Sequence, residues 1–312
     1  MFNQKDKGRP RLIVVVGATA SGKSALSMEL ARHFGCPIIS TDSRQFYQGI
    51  PIGTAQPSAA DLAEVEHHFI GCRTLADDYN AGAYEADAVE RLGELFEHHS
   101  TVVAVGGSGL YIKALCEGLD DLPKVPIEVR DAVRWEYQQS GIEPLLEELQ
   151  QCDPPYYECV DRANSARVMR AVEICRASGC RYSDLRSGEA QEREFEVVKV
   201  GLDLPREELY DRINRRVDAM LREGLEEEVR AVYPLRDLNS LQTVGYRELF
   251  SCFDGECSFD EAVELIKRNS RRYAKRQMTW FRRDHSIQWF YSYDPAAVLE
   301  FVGGVSVSVE CE

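Results

Sequence analysis

The stretch RLIVVVGATASGKSALSMELARHF, residues 11–34, sets the architecture. Arg11 to Val16 is a short apolar run rich in β-branched side chains, the pattern of a strand buried on both faces. Gly17-Ala18-Thr19-Ala20-Ser21-Gly22-Lys23-Ser24 then matches the phosphate-binding pattern G-x-x-x-x-G-K-[ST]. A helix is predicted from about Lys23 to His33, closed by Gly35. A strand before the loop and a helix after it are the context this pattern requires. The glycines let successive N–H groups turn inward, and the helix N-terminus adds partial positive charge. Lys23 is a point charge for phosphate oxygens. Ser24 offers a hydroxyl to Mg²⁺ or to a phosphate.

Outward from this loop the same alternation continues. Pro37 to Ser40 reads as a second strand, Pro57 to Glu66 and Gly82 to His98 as helices, and Thr101 to Val105 as a third buried strand ending in Gly106-Gly107. Strands alternating with helices predict a parallel sheet covered on both faces, an α/β core of P-loop type. Near Pro123 the pattern changes. Ile127 to Gln139, Glu143 to Gln151, Pro154 to Asp161 and Ser165 to Ser178 all read as helices, with no strand between them. Phe195 to Leu204 restores a strand. Glu207 to Glu223 is a long helix stopped by Gly224, Glu261 to Arg283 another, and Ile287 to Tyr291 a late strand. The expected organisation is a catalytic core from 9–122 and 196–302, an all-helical insertion at 123–195 and a poorly ordered tail at 303–312.

Composition narrows the class. With 44% hydrophobic residues the 312-residue chain can bury a sizeable core, and no apolar run reaches the length of a membrane span. The polar stretch Met1 to Arg11 lacks a signal peptide's hydrophobic segment, and the ten cysteines contain no C-x-x-C pair. Free thiols in a cytoplasmic, reducing setting are the expectation. The formal charge of -15 argues against nucleic acid as a general partner. Its distribution argues otherwise, because Lys267 to Arg283 holds eight basic residues and no acidic one. Lys267, Arg271 and Lys275 form one i,i+4 row and Arg268, Arg272 and Arg276 an adjacent one. Such a face suits RNA phosphates or pairs with the acidic body.

The P-loop does not name the reaction. P-loop chains commonly take nucleotides, ATP among them, and many hold Mg²⁺ with a carboxylate at another strand end. Here the strand ending at Val105 runs into Gly106-Gly107-Ser108-Gly109 without an acid. The nearest strand-end carboxylate is Asp42, which either faces the ligand crevice or caps the next turn. Arg212 and Arg216, four apart on a predicted helix, share one face. A small-molecule kinase and an RNA-binding protein with a vestigial P-loop are both compatible with these features alone.

Seven segments in order narrow the choice: GATASGKS (17–24), STDSRQFYQGIPIGTAQP (40–57), GGSGLYIKAL (106–115), NSARVMRAVEI (164–174), LYDRINRRVDAMLREGLEEEV (209–229), QTVGYRE (242–248) and RRYAKRQMTWFRR (271–283). Together they resemble the bacterial tRNA dimethylallyltransferases, of the tRNA isopentenyltransferase family, from about Arg11 to Tyr291. The resemblance implies transfer of a dimethylallyl group from dimethylallyl diphosphate to the exocyclic amine of the adenine beside the tRNA anticodon. It implies that residues 17–24 hold the isoprenoid diphosphate, that Asp42 is the general base, and that Thr19 and Arg216 complete the catalytic set. It further implies tRNA contacts by Asp42, Ser43, Arg44, Gln45, Ser108, Arg130, Ala166, Arg167, Val168, Met169, Arg170, Gln242, Thr243, Val244, Gly245, Tyr246 and Arg247, with Lys267, Arg271 and Lys275 as phosphate contacts. Mg²⁺ is the expected cofactor, with Ser24 a candidate ligand, and a monomer is the expected state. The chain departs from the family pattern at Ala18 in place of Pro, Thr41 in place of a small apolar residue, Ser24 and Ser108 in place of Thr, and Ala166 in place of Gln, which removes one RNA contact.

Overall fold

The computed structural model describes residues 9–291 and 293–304. The chain divides into two compact units, one built from the chain up to Cys116 and from Glu192 onward, the other Glu117–Gln191. The first opens with β1 (Arg11–Gly17), α1 (Lys23–Phe34), β2 (Ile38–Ser40), α2 (Ala59–Glu64), β3 (His67–His68), α3 (Ala81–His98), β4 (Thr101–Val105) and α4 (Gly109–Glu117). The second holds α5 (Ile127–Ser140), α6 (Glu143–Cys152), α7 (Pro154–Cys159) and α8 (Ser165–Ser178). The first resumes with β5 (Glu196–Leu202), α9 (Arg206–Arg222), α10 (Leu225–Val232), α11 (Tyr246–Phe253), α12 (Phe259–Phe281), β6 (Ile287–Phe290) and α13 (Pro295–Gly304).

The six strands form one parallel sheet in the order β3-β2-β4-β1-β5-β6. Successive β1 side chains serve opposite faces, as a two-residue period demands. Leu12, Val14 and Val16 enter the core that also holds Leu92, Leu115, Leu249 and Ile266 from α3, α4, α11 and α12. Ile13 and Val15 face Leu26 and Leu30 of α1 and Val298 and Val302 of α13. Both faces are apolar, so β1 reads as a continuous hydrophobic run. The chain leaves β1 for β2 with β4 lying between them, then crosses to β5 on the other side of β1. The strand order therefore reverses at β1, and such a switch point opens a crevice at the carboxyl ends of the strands. The P-loop lies there.

The second unit packs α5, α6 and α8 about Val133, Leu145, Leu149, Val168 and Val172. Asp153, fully buried, starts α7 by accepting from Tyr156 N–H and also takes the Ser183 N–H at 2.7 Å. Gly303 and Gly304, assigned to a tail on sequence grounds, close α13, and 305–312 lie outside the described residues. Five of these elements escaped sequence reading, α4 and α13 among them. β3 has two residues, too few to show a period. Gly224 does stop α9, but with φ 102° it immediately starts α10. α11 begins inside the segment QTVGYRE, where Gly245 supplies the cap.

Candidate active site

Gly17, Ala20 and Gly22 all take positive φ (147°, 65° and 100°), so the loop curls tightly before α1. A side chain at Gly17 would place its Cβ 2.6 Å from the Leu202 carbonyl oxygen of β5, which only glycine avoids. Ala20 accepts a left-handed conformation that costs a non-glycine residue on the order of 1 kcal/mol. The result presents Thr19, Lys23 and Ser24 to one cavity of about 170 Å³.

The remaining walls come from distant segments. Asp42 reaches the cavity from the end of β2, Gly106 and Gly107 from the end of β4, and Arg216 from α9. Thr243, Val244 and Gly245 enter ahead of α11, and Ser270, Tyr273 and Gln277 from α12. Met220, Leu225 and Ile266 make one part of the lining apolar. Both sequence readings of Asp42 hold at once. Its Oδ1 accepts the Arg44 N–H at 2.9 Å, capping the turn, while the carboxylate lines the cavity.

Two recessed cations face this space. Burial, the nearby Arg216 guanidinium and, in the opposite sense, the Asp42 carboxylate act on Lys23, whose pKa falls from 10.5 to about 7. Burial also lowers that of Arg216, against the pull of Asp42 and Glu223. Lys23 Nζ donates to the Ala18 carbonyl at 2.6 Å, and neither cation forms an ion pair among the described residues. Two desolvated cations side by side are unfavourable unless an anion with several oxygens joins them. Arg212, their helical neighbour, instead pairs with Glu208 at 2.8 Å on the surface.

The sequence-derived RNA contacts divide three ways. Gly245, Thr243 and Val244 line the cavity beside Asp42, Arg44 and Gln45. Ser108 Oγ accepts the Ser43 N–H at 3.0 Å, so both hold the turn that carries Asp42. Arg44 donates to the Asn239 and Ser240 carbonyls, and Gln45 Nε2 donates to those of Thr54 and Ala55, so these side chains are already engaged in fixing loops. Ala166 and Arg167 are exposed on α8, Met169 is partly buried there, Arg170 pairs with Glu173, and Arg130 lies on α5. Gln242 and Arg247 are exposed.

Four of these side chains are taken up by the protein itself. Val168 and Tyr246 are fully buried, the first in the core of the helical unit and the second in the core beneath the sheet's helices, so their side chains pack within the protein. Lys267 is locked by Asp218 at 2.9 Å and Glu264 at 3.3 Å, and Arg271 donates to Asn214 at 2.6 Å. The exposed basic row of α12 is Arg268, Arg272 and Arg276, joined by Lys275. A one-residue shift around the helix separates paired from free cations, and spacing alone could not choose between the rows.

Sequence reading also missed residues that shape the site. Glu228 of α10 accepts the Ile52 and Gly53 N–H groups, each at 2.8 Å, and the Tyr246 hydroxyl at 2.6 Å, bracing the loop that forms one wall. Ser270, Tyr273 and Gln277 recur at three and four residues, the helical spacing of one face, and that was the available signal. Burial and Asp42 push the Tyr273 hydroxyl up to about 12, so it stays a neutral donor.

These features define a class: a P-loop α/β protein whose cationic pocket suits a diphosphate and faces a strand-end carboxylate, without an acid at the end of β4. The chain belongs to the IPP transferase family, whose sequence pattern matches residues 45–284, and it is a transferase. It is 51% identical over 287 residues to tRNA dimethylallyltransferase 2 of Parabacteroides distasonis, covering 92% of this chain and 96% of that one. It is 47% identical to tRNA dimethylallyltransferase 1 of Phocaeicola vulgatus, covering 95% and 98%. The full-length tRNA isopentenylpyrophosphate transferase of Bacillus halodurans superposes with a TM-score of 0.70 at 34% identity, over 94% of this chain and 96% of that one.

Proposed function

We propose that the protein transfers a dimethylallyl group from dimethylallyl diphosphate to the exocyclic amine of the adenine adjacent to the anticodon in tRNA, releasing diphosphate. One observation carries this reading: a single cavity unites the P-loop, the recessed cations Lys23 and Arg216, the carboxylate of Asp42 and an apolar lining. An adenine amine is a weak nucleophile because its lone pair is delocalised into the ring. As the nitrogen bonds to the allylic carbon, the carbon–oxygen bond to diphosphate breaks, and Asp42 takes the amine proton. Lys23, Arg216, Thr19 and the loop N–H groups stabilise the charge that grows on the leaving oxygen. The apolar lining suits the five-carbon group. The target base leaves its stack to reach Asp42, as base-modifying enzymes require.

The donor set is compatible with Mg²⁺, a hard cation that keeps several waters and binds through few protein groups plus substrate phosphates. The exposed Ser24 hydroxyl opens onto the cavity, and no cluster of three His, Cys, Asp or Glu occurs among the described residues. Mg²⁺ held by Ser24 and diphosphate oxygens would supply further charge neutralisation. The helical unit, through Arg130, Arg167 and neighbouring residues, is proposed to contact the tRNA. No helix among the described residues is long and apolar enough to cross a membrane, and a cytoplasmic monomer is the proposed working form. Incubation with dimethylallyl diphosphate and unmodified tRNA, followed by mass analysis of the nucleosides, tests the reading. A dimethylallyl mass increment on one adenosine is expected. ATP turnover without such a product would replace it with a kinase.

A further inference from the structure

Gln277 is a buried amide on α12 with two partners drawn from two other segments. Its Oε1 accepts the Thr19 N–H of the P-loop at 2.9 Å, and its Nε2 donates to the Gly107 carbonyl after β4 at 2.9 Å. The orientation of the amide follows from chemistry, since an N–H can meet only the oxygen and a carbonyl only the NH₂ group. The approach is close enough that a Cβ at Gly107 would lie 2.1 Å from Nε2. Beyond Gly107 the next residue is Ser108, whose hydroxyl accepts the Ser43 N–H beside Asp42. One side chain therefore ties the loop that grips the leaving group to the turn that holds the proton acceptor.

We infer that Gln277 is a positioning residue that sets the spacing between the diphosphate grip at Thr19 and the base-side turn at Gly107, Ser108 and Asp42. The inference rests on the proposed transfer reaction. Transfer needs the amine, the allylic carbon and the leaving oxygen in line, and misplacement by about 1 Å costs on the order of a hundredfold in rate. A hydrophobic replacement of similar length keeps the volume and removes both hydrogen bonds. A glutamate keeps the shape and fails only while ionised. Its carboxylate accepts from Thr19 but turns a lone pair toward the Gly107 carbonyl, whereas the protonated acid donates to Gly107 and accepts from Thr19.

The test measures single-turnover rate constants at saturating tRNA and dimethylallyl diphosphate, which do not depend on the fraction of active molecules. Q277M is expected to be roughly ten- to a hundredfold slower than wild type, with a tRNA dissociation constant close to wild type. The ratio of Q277E to wild type is expected to rise about tenfold between about pH 8 and about pH 6, with no such rise for Q277M. Lys23, Asp42, Arg216 and Tyr273 line the same cavity in all three proteins, so the ratio isolates position 277. A Q277M rate within roughly threefold of wild type overturns the inference. So does a flat Q277E ratio, which would make residue 277 a space-filler. Wild type that modifies no tRNA would instead sink the transfer reading.

Discussion

Lys23 and Arg216 in the cavity and the basic rows of α12 carry the same charge under opposite conditions. The cavity cations are recessed and form no ion pair among the described residues, and burial lowers the pKa of both. On α12, Lys267 has two carboxylate partners that raise its pKa, while Arg268, Arg272, Lys275 and Arg276 stand in solvent. In the cavity, the cost of desolvation is already met on folding, so an arriving anion gains strong, weakly screened interactions. On the helix, each exposed cation adds a modest attraction that salt screens. The difference shows that positive charge in a sequence has no fixed role, and that burial and partners assign it. On the proposed reading, the cavity takes one multivalent anion in one pose and the helix a polymer of phosphates in many.

The sharpest test of the cavity removes the carboxylate that lines it. Asp42→Asn is expected to slow transfer by roughly a hundred- to ten-thousandfold, the range of a missing general base, with little change in tRNA affinity. Single-turnover kinetics beside an RNA-binding titration measure both. Turnover within about tenfold of wild type would strip Asp42 of that role.

Removing either cation probes the other half of the comparison. Lys23→Ala and Arg216→Ala are each expected to weaken dimethylallyl diphosphate by roughly ten- to a hundredfold, the scale of a charged hydrogen bond. Competition by inorganic diphosphate should weaken in parallel and tRNA affinity should hold. Unchanged kinetics in the isoprenoid substrate for either variant would remove that cation from the diphosphate site.

Lys23 also makes a proton-linked prediction. Its pKa is about 7 in the unliganded protein, and a bound diphosphate raises it. Above pH 7 binding must then take up a proton, so affinity falls by up to about tenfold per pH unit, and below 7 this group adds no slope. Calorimetry in buffers of different ionisation enthalpy reads the proton uptake directly, and Lys23→Ala should abolish it. The sign for folding is opposite. The unfolded lysine, near 10.5, binds more protons between about 7 and that value, so the unliganded fold gains stability as pH rises through the window.

The smallest effects belong to α12. Neutralising Arg268, Arg272 and Arg276 to Gln is expected to lower the slope of log affinity for tRNA against log salt by about two units, near 0.7 to 0.9 for each phosphate no longer neutralised. Neutralising Lys267 and Arg271 should change it less, because their partners already hold them. Equal slopes for the two variants, measured across a salt series, would erase the distinction between the rows.

Much of this was legible in the chain. The β-branched run before Gly17 and the G-x-x-x-x-G-K-S pattern specify a strand, a curled turn and a helix through local rules: side-chain sterics, glycine conformations and helix N-terminal N–H groups. Those rules act over a few residues and survive without tertiary context. Asp42 was visible as a strand-end acid for the same reason. Local rules could not bring Arg216, Gln277 and Glu228 to the same place, since they lie far from the P-loop along the chain and on three different helices. Nor could they tell that Val168 and Tyr246 turn inward, or that Lys267 finds Asp218 while Arg268 does not. Burial and charge pairing depend on which helix packs against which, and a rotation of one residue on α12 exchanges a solvated cation for a neutralised one. The proposed phosphate grip is thus encoded in eight consecutive residues and their flanks. The packing of α9, α10 and α12 over the sheet chose which distant side chains complete it, because desolvation and hydrogen-bond geometry exist only once those helices are in place.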